Sequence, residues 1–217
     1  LVHFTAANGW INDPNGLVYA NGKYLMYFQH NPVATTWENM HWGGAFSEDL
    51  IHWREFGDVL FPDKDGTMFS GCAIIDKDNR CGFQQDDTPV ILYYYTSAGH
   101  TSETSKHKPF TQCLAYSTDG GKTLIKYDKN PIIENLAYEN RDPKVIYYSP
   151  LDIYIMVLYL DGHSFAILKS ENLLDWSQIQ EITLPDDGEC PDFYPLCADG
   201  DSKNIKWIFS AASDRYY

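Results

Sequence analysis

Three acidic residues that lie far apart in the chain, Asp13, Asp142 and Glu189, are each followed by a proline within two positions. Proline removes a backbone donor and keeps the residue before it out of helical conformations, so each acid stands near an extended segment. A pair of carboxyl groups hydrolyses a glycosidic bond when one is ionised and the other protonated, and a neighbouring negative charge favours the protonated form. These residue types indicate glycoside hydrolysis, provided that the fold brings the acids together.

Each acid also has a simpler explanation. Asp13 beside a proline is common in turns, Asp142 beside an arginine is common in exposed ion pairs, and Glu189 ends an acidic run at 186–189. A strand-like segment follows Asp142, and the aromatic pair Phe193–Tyr194 follows Glu189. These apolar continuations favour an inward position for both side chains.

Aromatic and polar residues near the acids are candidates for binding a sugar. Aromatic rings pack on the apolar face of a sugar, and amide or guanidinium groups hydrogen-bond to hydroxyls, although aromatic side chains are equally typical of a sheet core. The candidates are Trp10, Asn12, Gln29, Trp37, Trp42, Phe69 and Arg141.

The elements that must position these residues are short strands arranged in a weak repeat. Segments starting at Ser47, Ser117 and Ser170 share a serine, a polar turn and a return to apolar residues, and one unit spans roughly 60 residues. Asn21-Gly22 is a strong hairpin signal, and Asn15-Gly16 is a second turn signal. The predicted strands are 16–20, 23–28, 42–47, 53–56, 68–75, 90–97, 113–117, 144–148, 154–160 and 165–170, followed by a fourth unit from Phe193 with a strand at 205–211.

Repeated four-stranded units predict a β-propeller, in which the first strand of each blade lines a central channel. Acids placed just before those strands would meet at one mouth of the channel. Asp13, Asp142 and Glu189 precede the first, third and fourth predicted units, so the repeat itself predicts one acidic cluster.

Composition narrows the class of ligand. The chain has 217 residues, of which 44% are hydrophobic, 21% charged and 15% aromatic, and its net charge is −14. This charge argues against nucleic acid and acidic membranes as partners, and no transmembrane span or signal peptide is predicted. The five cysteines cannot all pair and match no zinc or redox spacing, so buried free thiols are the simpler interpretation. No spacing of His and Asp ligands appears either, so no metal is expected. A neutral ligand fits best, and the cellular compartment stays open between secreted and cytoplasmic in a protein of bacterial type.

Six motifs in order along the chain resemble glycoside hydrolase family 32, which contains invertases, inulinases, levanases and sucrose-6-phosphate hydrolases. The motifs are Trp10–Gly16, Tyr27–Pro32, Met40–Ala45, Phe69–Gly71, Arg141–Val145 and Glu189–Phe193. The resemblance implies an all-β, five-bladed propeller that cleaves β-fructofuranosidic bonds with retention, without a metal or cofactor, on a sucrose or fructan substrate.

The resemblance also implies roles for individual residues. Asp13 matches the nucleophile, Glu189 the general acid/base and Asp142 the stabiliser of the transition state. Ser70 joins Asn12, Gln29, Trp37, Phe69 and Arg141 as a sugar contact. Retention implies a separation of about 5–5.5 Å between the carboxyl groups of Asp13 and Glu189.

At roughly 60 residues per unit, 217 residues supply about three and a half blades. We therefore expect residues 1–217 to form a partial N-terminal catalytic propeller, without the C-terminal blades and β-sandwich of the family, and a further part of the protein or an oligomer to complete the fold. Three alternatives to a fructosidase stay open: a fructosyltransferase, a truncated module that binds fructan without turnover, and an inverting arabinoside-cleaving propeller.

Overall fold

The chain folds into four antiparallel sheets. The computed structural model describes residues 3–185 and 188–212, and in these ranges it contains fourteen strands and one short 3₁₀ turn. The first sheet has β1 (Trp10–Ala20), β2 (Lys23–Asn31), β3 (His41–Ser47) and β4 (Trp53–Leu60), and the second has β5 (Thr67–Asp76), β6 (Val90–Ala98), β7 (Thr111–Ser117) and β8 (Ile125–Lys126). The third has β9 (Arg141–Tyr148), β10 (Ile153–Asp161), β11 (Ser164–Ser170) and β12 (Ser177–Thr183), and the fourth pairs β13 (Asp192–Cys197) with β14 (Ile205–Ser210) through the turn Ala198–Gly200.

Each sheet is a meander in which consecutive strands pair, and the first strands of the sheets lie side by side. β1 contacts β5, β5 contacts β9 and β9 contacts β13. This is the arrangement of propeller blades around a channel. The prediction of an all-β propeller with three complete blades and part of a fourth is confirmed. No helix among the described residues is long and apolar enough to cross a membrane.

The serine repeat marks the same turn in each complete blade. Ser47, Ser117 and Ser170 end the third strands β3, β7 and β11. Each hydroxyl donates to the acid or amide two residues later and accepts a backbone N–H from the turn, at 2.8 Å from Leu50, 2.9 Å from Gly121 and 2.8 Å from Leu173. A short polar side chain that replaces backbone partners in this way fixes the reversal towards the fourth strand.

The two Asn-Gly signals have different outcomes. Asn21 and Gly22 both have positive φ, at 51° and 76°, between the paired residues Ala20 and Lys23, so the predicted hairpin turn is confirmed. Asn15-Gly16 is not a turn but lies inside β1, where the pairing with β2 shifts register between Asn15 and Val18. A glycine with φ of 53° suits this bulge.

Strand boundaries also differ from the prediction at the ends of the blades. β1 begins at Trp10 and β9 at Arg141, so Asp13 and Asp142 lie within the first strands and not ahead of them, whereas Glu189 does precede β13. The outer strands β8 and β12 were not predicted. Nearly every residue of β12 is exposed, so its sequence lacks the apolar alternation by which a half-buried strand is recognised.

The core lies between the blades, and β6 is buried on both of its faces. Tyr93 packs with Tyr27 of the first blade, whereas Tyr94 faces the third blade. The hydroxyls of Tyr27 and Tyr93 hydrogen-bond to each other at 2.8 Å, and Tyr94 donates to the Leu173 carbonyl at 2.7 Å. Satisfied hydroxyls let these large rings fill the spaces between sheets. The aromatic composition is thus largely a consequence of blade packing.

Candidate active site

Asp13 is presented by the irregular first half of β1. The β1–β2 register shifts between Ile11 and Pro14, so the backbone bulges at this acid. Its Oδ2 accepts a hydrogen bond of 2.6 Å from Ser70 Oγ on β5. Beside it, the Asn15 side chain accepts the Gly71 N–H at 3.1 Å, which binds the two first strands together. The acid is therefore exposed to the cavity but fixed in direction.

Asp142 is the second residue of β9 and has a left-handed backbone with φ of 62°. Its N–H donates to Thr96 Oγ1 at 3.2 Å, and its Oδ2 accepts the Cys190 N–H at 3.1 Å and the Cys190 thiol at 3.6 Å. Burial raises the pKa of Asp142, and the charge of Asp13 adds to this, while Cys190 and Arg141 act in the opposite direction. Burial and the same acids raise the pKa of the Cys190 thiol to about 12.

Glu189 lies in the segment before β13, also with a left-handed backbone, at φ of 61°. Its Oε1 accepts a hydrogen bond from Arg141 Nη2, and its side chain is 53% exposed. Arg141 donates through Nη1 to the Glu139 carbonyl at 2.8 Å and lies over the Tyr159 ring at 4.8 Å from the centroid. Burial lowers the pKa of Arg141, but the hydrogen bond to Glu189 and the nearby acids outweigh it, so the pKa lies above its ordinary value.

The three acids line one cavity of about 200 Å³, although they come from three different sheets or their flanking segments. The complete lining is Asn12, Asp13, Gln29, Trp37, Phe69, Ser70, Arg141, Asp142, Glu189 and Cys190. Strained backbone at two of the acids is common where a structure holds functional groups in place. The cavity is smaller than the roughly 300 Å³ at which drug-sized sites begin, which suits a single sugar unit.

Nine of the eleven residues predicted as acids or sugar contacts line this cavity. Gln29 donates to the Met68 carbonyl at 2.8 Å, and the ring of Trp37 meets that of Phe69 edge to face at 5.7 Å. Asn12 accepts the indole N–H of Trp10 at 2.8 Å. Trp37 is 54% exposed, so its ring is free to contact a ligand.

Two of the predicted sugar contacts do not line the cavity. Trp42 is completely buried in the core between the first two blades, and its indole N–H donates to the Phe69 carbonyl at 3.0 Å. Trp10 is not in the lining of the cavity, but its indole N–H donates a hydrogen bond to the side chain of Asn12, which is. Both therefore support residues of the lining and do not reach the cavity themselves.

Sequence reasoning missed Cys190 and Thr96, which hold Asp142. Cys190 had a signal, because it stands between Glu189 and a proline in one of the six motifs. No feature of the sequence indicated Thr96, because it lies in a fully buried strand where a hydroxyl side chain does not by itself mark a functional site.

A second cavity of about 340 Å³ adjoins the first along the channel, and Asp13 and Asp142 line both. Its wall includes an ion pair of 3.0 Å between Lys144 Nζ and Asp192 Oδ2. A larger cavity, of about 600 Å³, lies elsewhere, between Asp63–Asp65, Lys108 and Lys126. In the described ranges, no three His, Cys, Asp or Glu side chains are placed so that they could hold a metal ion.

The pattern of the glycosyl hydrolases family 32 N-terminal domain matches residues 3–216. The chain belongs to glycosyl hydrolase family 32. Its relatives in this family include a levanase of Bacillus subtilis (strain 168), 38% identical over 97% of this chain and 31% of that protein, and an invertase of Schizosaccharomyces pombe (strain 972), 34% identical over 95% and 37%.

Solved structures of family 32 enzymes have the same fold. An exo-inulinase from Aspergillus awamori superposes with a TM-score of 0.86 at 34% identity, over 96% of this chain and 45% of its own. A fructofuranosidase from Schwanniomyces occidentalis, complexed with fructose, superposes with a TM-score of 0.87 at 34% identity, over 96% of this chain and 42% of its own. The chain thus spans less than half the length of these family 32 relatives.

Proposed function

We propose that this chain carries the catalytic site of a retaining β-fructofuranosidase that acts on sucrose or fructans. The observation that carries the proposal is that Asp13, Asp142 and Glu189, from separate blades, line a single sugar-sized cavity. The levanase, invertase and inulinase named above support a fructose-containing substrate.

In this proposal Asp13 is the nucleophile. Its carboxylate attacks the anomeric carbon of the fructosyl unit and forms a covalent ester, while the leaving oxygen departs with a proton. The hydrogen bond from Ser70 directs one oxygen of Asp13 and leaves the other to react. Asn12 and Phe69 line the same cavity and are available to contact the sugar there.

Glu189 supplies the proton to the leaving oxygen and then removes one from the attacking water, which releases fructose and restores both acids. Arg141 positions it, since the guanidinium donates directly to Oε1. The left-handed backbone at Glu189 and Cys190 turns the side chain of the acid towards Arg141. A substrate that reaches Glu189 replaces solvent on its exposed side.

Asp142 binds the sugar hydroxyls and stabilises the positive charge that develops on the ring. Its hydrogen bonds from Cys190 and its backbone link to Thr96 hold it in place without a bound ligand. A negatively charged group that is fixed in advance costs little reorganisation when positive charge develops beside it. Both β-fructofuranosidases and fructosyltransferases would use this arrangement, because they differ only in what attacks the ester.

The test is to incubate the purified protein with sucrose and with inulin and to measure released fructose. We expect release from at least one substrate, with its anomeric configuration retained, and a fall of at least 1,000-fold in kcat for Asp13→Asn, since removal of a nucleophile eliminates the covalent route. Binding without release would identify a non-catalytic module, oligosaccharide products without free fructose a transferase, and inverted product a different mechanism. Each of these three results would overturn the proposal.

A further inference from the structure

A row of aromatic rings continues outwards from the candidate active site. Phe69, in the wall of the cavity, meets Phe110 edge to face at 5.4 Å, Phe110 packs with His100 at 5.0 Å, and His100 stacks on Tyr138 at 6.2 Å. We call Phe110, His100 and Tyr138 the aromatic ridge. Its rings come from the loops before β7 and before β9, so it borders the cavity on the side of the second and third blades.

A chain of polar contacts joins the ridge to the same cavity. His100 Nε2 lies 3.3 Å from Glu139 Oε1, and Glu139 Oε2 lies 3.7 Å from Arg141 Nη1. Arg141 in turn holds Glu189. The ridge therefore lies next to Arg141 and the proposed acid/base Glu189. A ligand that extends out of the cavity past Glu189 would meet the ridge.

Exposure changes along the ridge from base to tip. Phe110 is 2% exposed and belongs to the packed interior, while Tyr138 is 72% exposed. The tip contributes little to the core, yet a stacked neighbour supports its ring. Aromatic side chains that are rigid and exposed in this way supply contact area at little cost in conformational entropy.

The two loops that carry the ridge are fixed before any ligand binds. His100 N–H donates to the Ser105 carbonyl at 2.7 Å, and Thr101 Oγ1 hydrogen-bonds to Thr67 Oγ1 at 2.8 Å. In the other loop, Asn140 Oδ1 accepts the backbone N–H of Leu136 at 2.9 Å and of Ala137 at 3.2 Å. Binding on such a surface avoids the cost of ordering it.

We propose that the aromatic ridge binds the inner sugar units of a β-fructan chain whose terminal fructosyl unit occupies the cavity. The inference rests on the proposed function and specifies its substrate: a polymer of fructose is preferred to sucrose. Sugar units present apolar C–H faces to aromatic rings, and their hydroxyls hydrogen-bond to groups such as His100 and Glu139.

Charge favours a neutral chain over a phosphorylated one. The nearby cations of the loop before β7 already have acidic partners: Lys106 lies 3.8 Å from Glu103, and Lys108 lies 3.2 Å from Asp65. Arg141 is held between Glu139 and Glu189. With a net charge of −14, the protein would repel an anionic ligand at this rim.

The experiment compares kcat/KM for an inulin-type oligosaccharide with kcat/KM for sucrose. We expect Tyr138→Ala to lower the ratio of the two values roughly threefold to tenfold through KM, the size of one lost ring contact. Tyr138→Phe keeps the ring and should keep the ratio. Tyr19→Ala is the control, because Tyr19 is also exposed but lies at the far end of β1, where its ring is tilted against that of Tyr24 at 4.7 Å.

A ratio unchanged in Tyr138→Ala, or a fall that Tyr138→Phe shares fully, would overturn the proposal. To separate it from the proposed function, calorimetry measures binding of the same oligosaccharide to Asp13→Asn and to the double variant with Tyr138→Ala. Weaker binding by the double variant supports the ridge even if no turnover is found, and equal binding rejects it. Absence of fructose release from every substrate would reject the proposed function alone.

Discussion

Arg141 Nη2 donates a hydrogen bond to Glu189 Oε1 and thereby joins the first residue of β9 to the segment before β13. The two residues are 48 positions apart. Asp142 follows Arg141 directly, and Cys190, whose N–H donates to Asp142, follows Glu189. One pair of neighbouring contacts thus sets the relative positions of two of the three acids. The geometry of the site depends on the third blade and the fourth meeting correctly.

Replacing Arg141 by lysine should lower kcat/KM for sucrose roughly 10- to 100-fold, because an ammonium group does not reproduce the planar guanidinium that contacts both Glu139 and Glu189. Fructose release under steady-state conditions measures this. Arg80→Lys is the matched control, since Arg80 pairs with Asp152 outside the cavity. Equal activity in both variants would show that Arg141 does not position Glu189.

Removing the hydroxyl of Ser70 should lower kcat more than it raises KM. The 2.6 Å hydrogen bond fixes the carboxylate of Asp13, and hydrogen bonds to charged groups contribute about 1.5–3 kcal/mol, so we expect kcat for Ser70→Ala to fall roughly 10- to 100-fold. Ser164→Ala is the control, because its hydroxyl faces Thr183 on β12. A change confined to KM would indicate that Ser70 contacts the sugar and does not orient Asp13.

Stability should fall as pH rises through the titration of Asp142. Burial raises the pKa of Asp142 in the folded protein above its ordinary value of 3.8, so the folded state binds more protons than the unfolded state in that interval. Below pH 3.8 the contribution of Asp142 to the free energy of unfolding is at its full value and does not change with pH. Above pH 3.8 this contribution decreases until the raised pKa is passed. Denaturant titrations from about pH 4 to pH 7 measure the slope.

Asp142→Asn should flatten that part of the pH dependence, because the amide does not titrate. The control is Asp175→Asn, since this acid lies in the turn before β12 and accepts from Asn172 at 2.7 Å, away from the cavity. If the wild-type protein and Asp142→Asn share one slope, the burial of Asp142 does not govern stability in this range.

The sequence predicted the acids because their chemistry and their local context coincide. Each acid stands in or just before the first strand of a blade, and the repeated serine turns show where each blade reverses. The outer strands β8 and β12 had no comparable signal. Strand β12 is exposed at nearly every position, and only its pairing with β11 makes it a strand.

Side-chain direction was harder to predict than the positions of the elements. Bulges in β1 and β9 change which face a residue occupies, and no sequence pattern specifies where a bulge falls. Trp37 and Trp42 look alike in the sequence, since both lie in the polar and aromatic stretch around β3. Trp37 stands in the loop before the strand and faces the cavity, whereas Trp42 is paired with Gln29 within the sheet and turns into the core.

Substitution of these two tryptophans by phenylalanine should affect different properties: stability for Trp42 and sugar binding for Trp37. Trp42→Phe leaves the Phe69 carbonyl without its indole donor and opens a void between blades, so we expect a loss of about 1–3 kcal/mol in the free energy of unfolding. Trp37→Phe removes no buried contact and should change that free energy by less than about 0.5 kcal/mol.

Activity should show the reverse order at a temperature where both variants are folded. Trp37→Phe should raise KM for sucrose severalfold, because a smaller exposed ring covers less of the sugar. Trp42→Phe should affect KM only through the position of Phe69, and therefore less. Denaturant titration and steady-state kinetics on the same two preparations test both statements. A larger KM effect from Trp42 than from Trp37 would place the buried ring, and not the exposed one, in control of sugar binding.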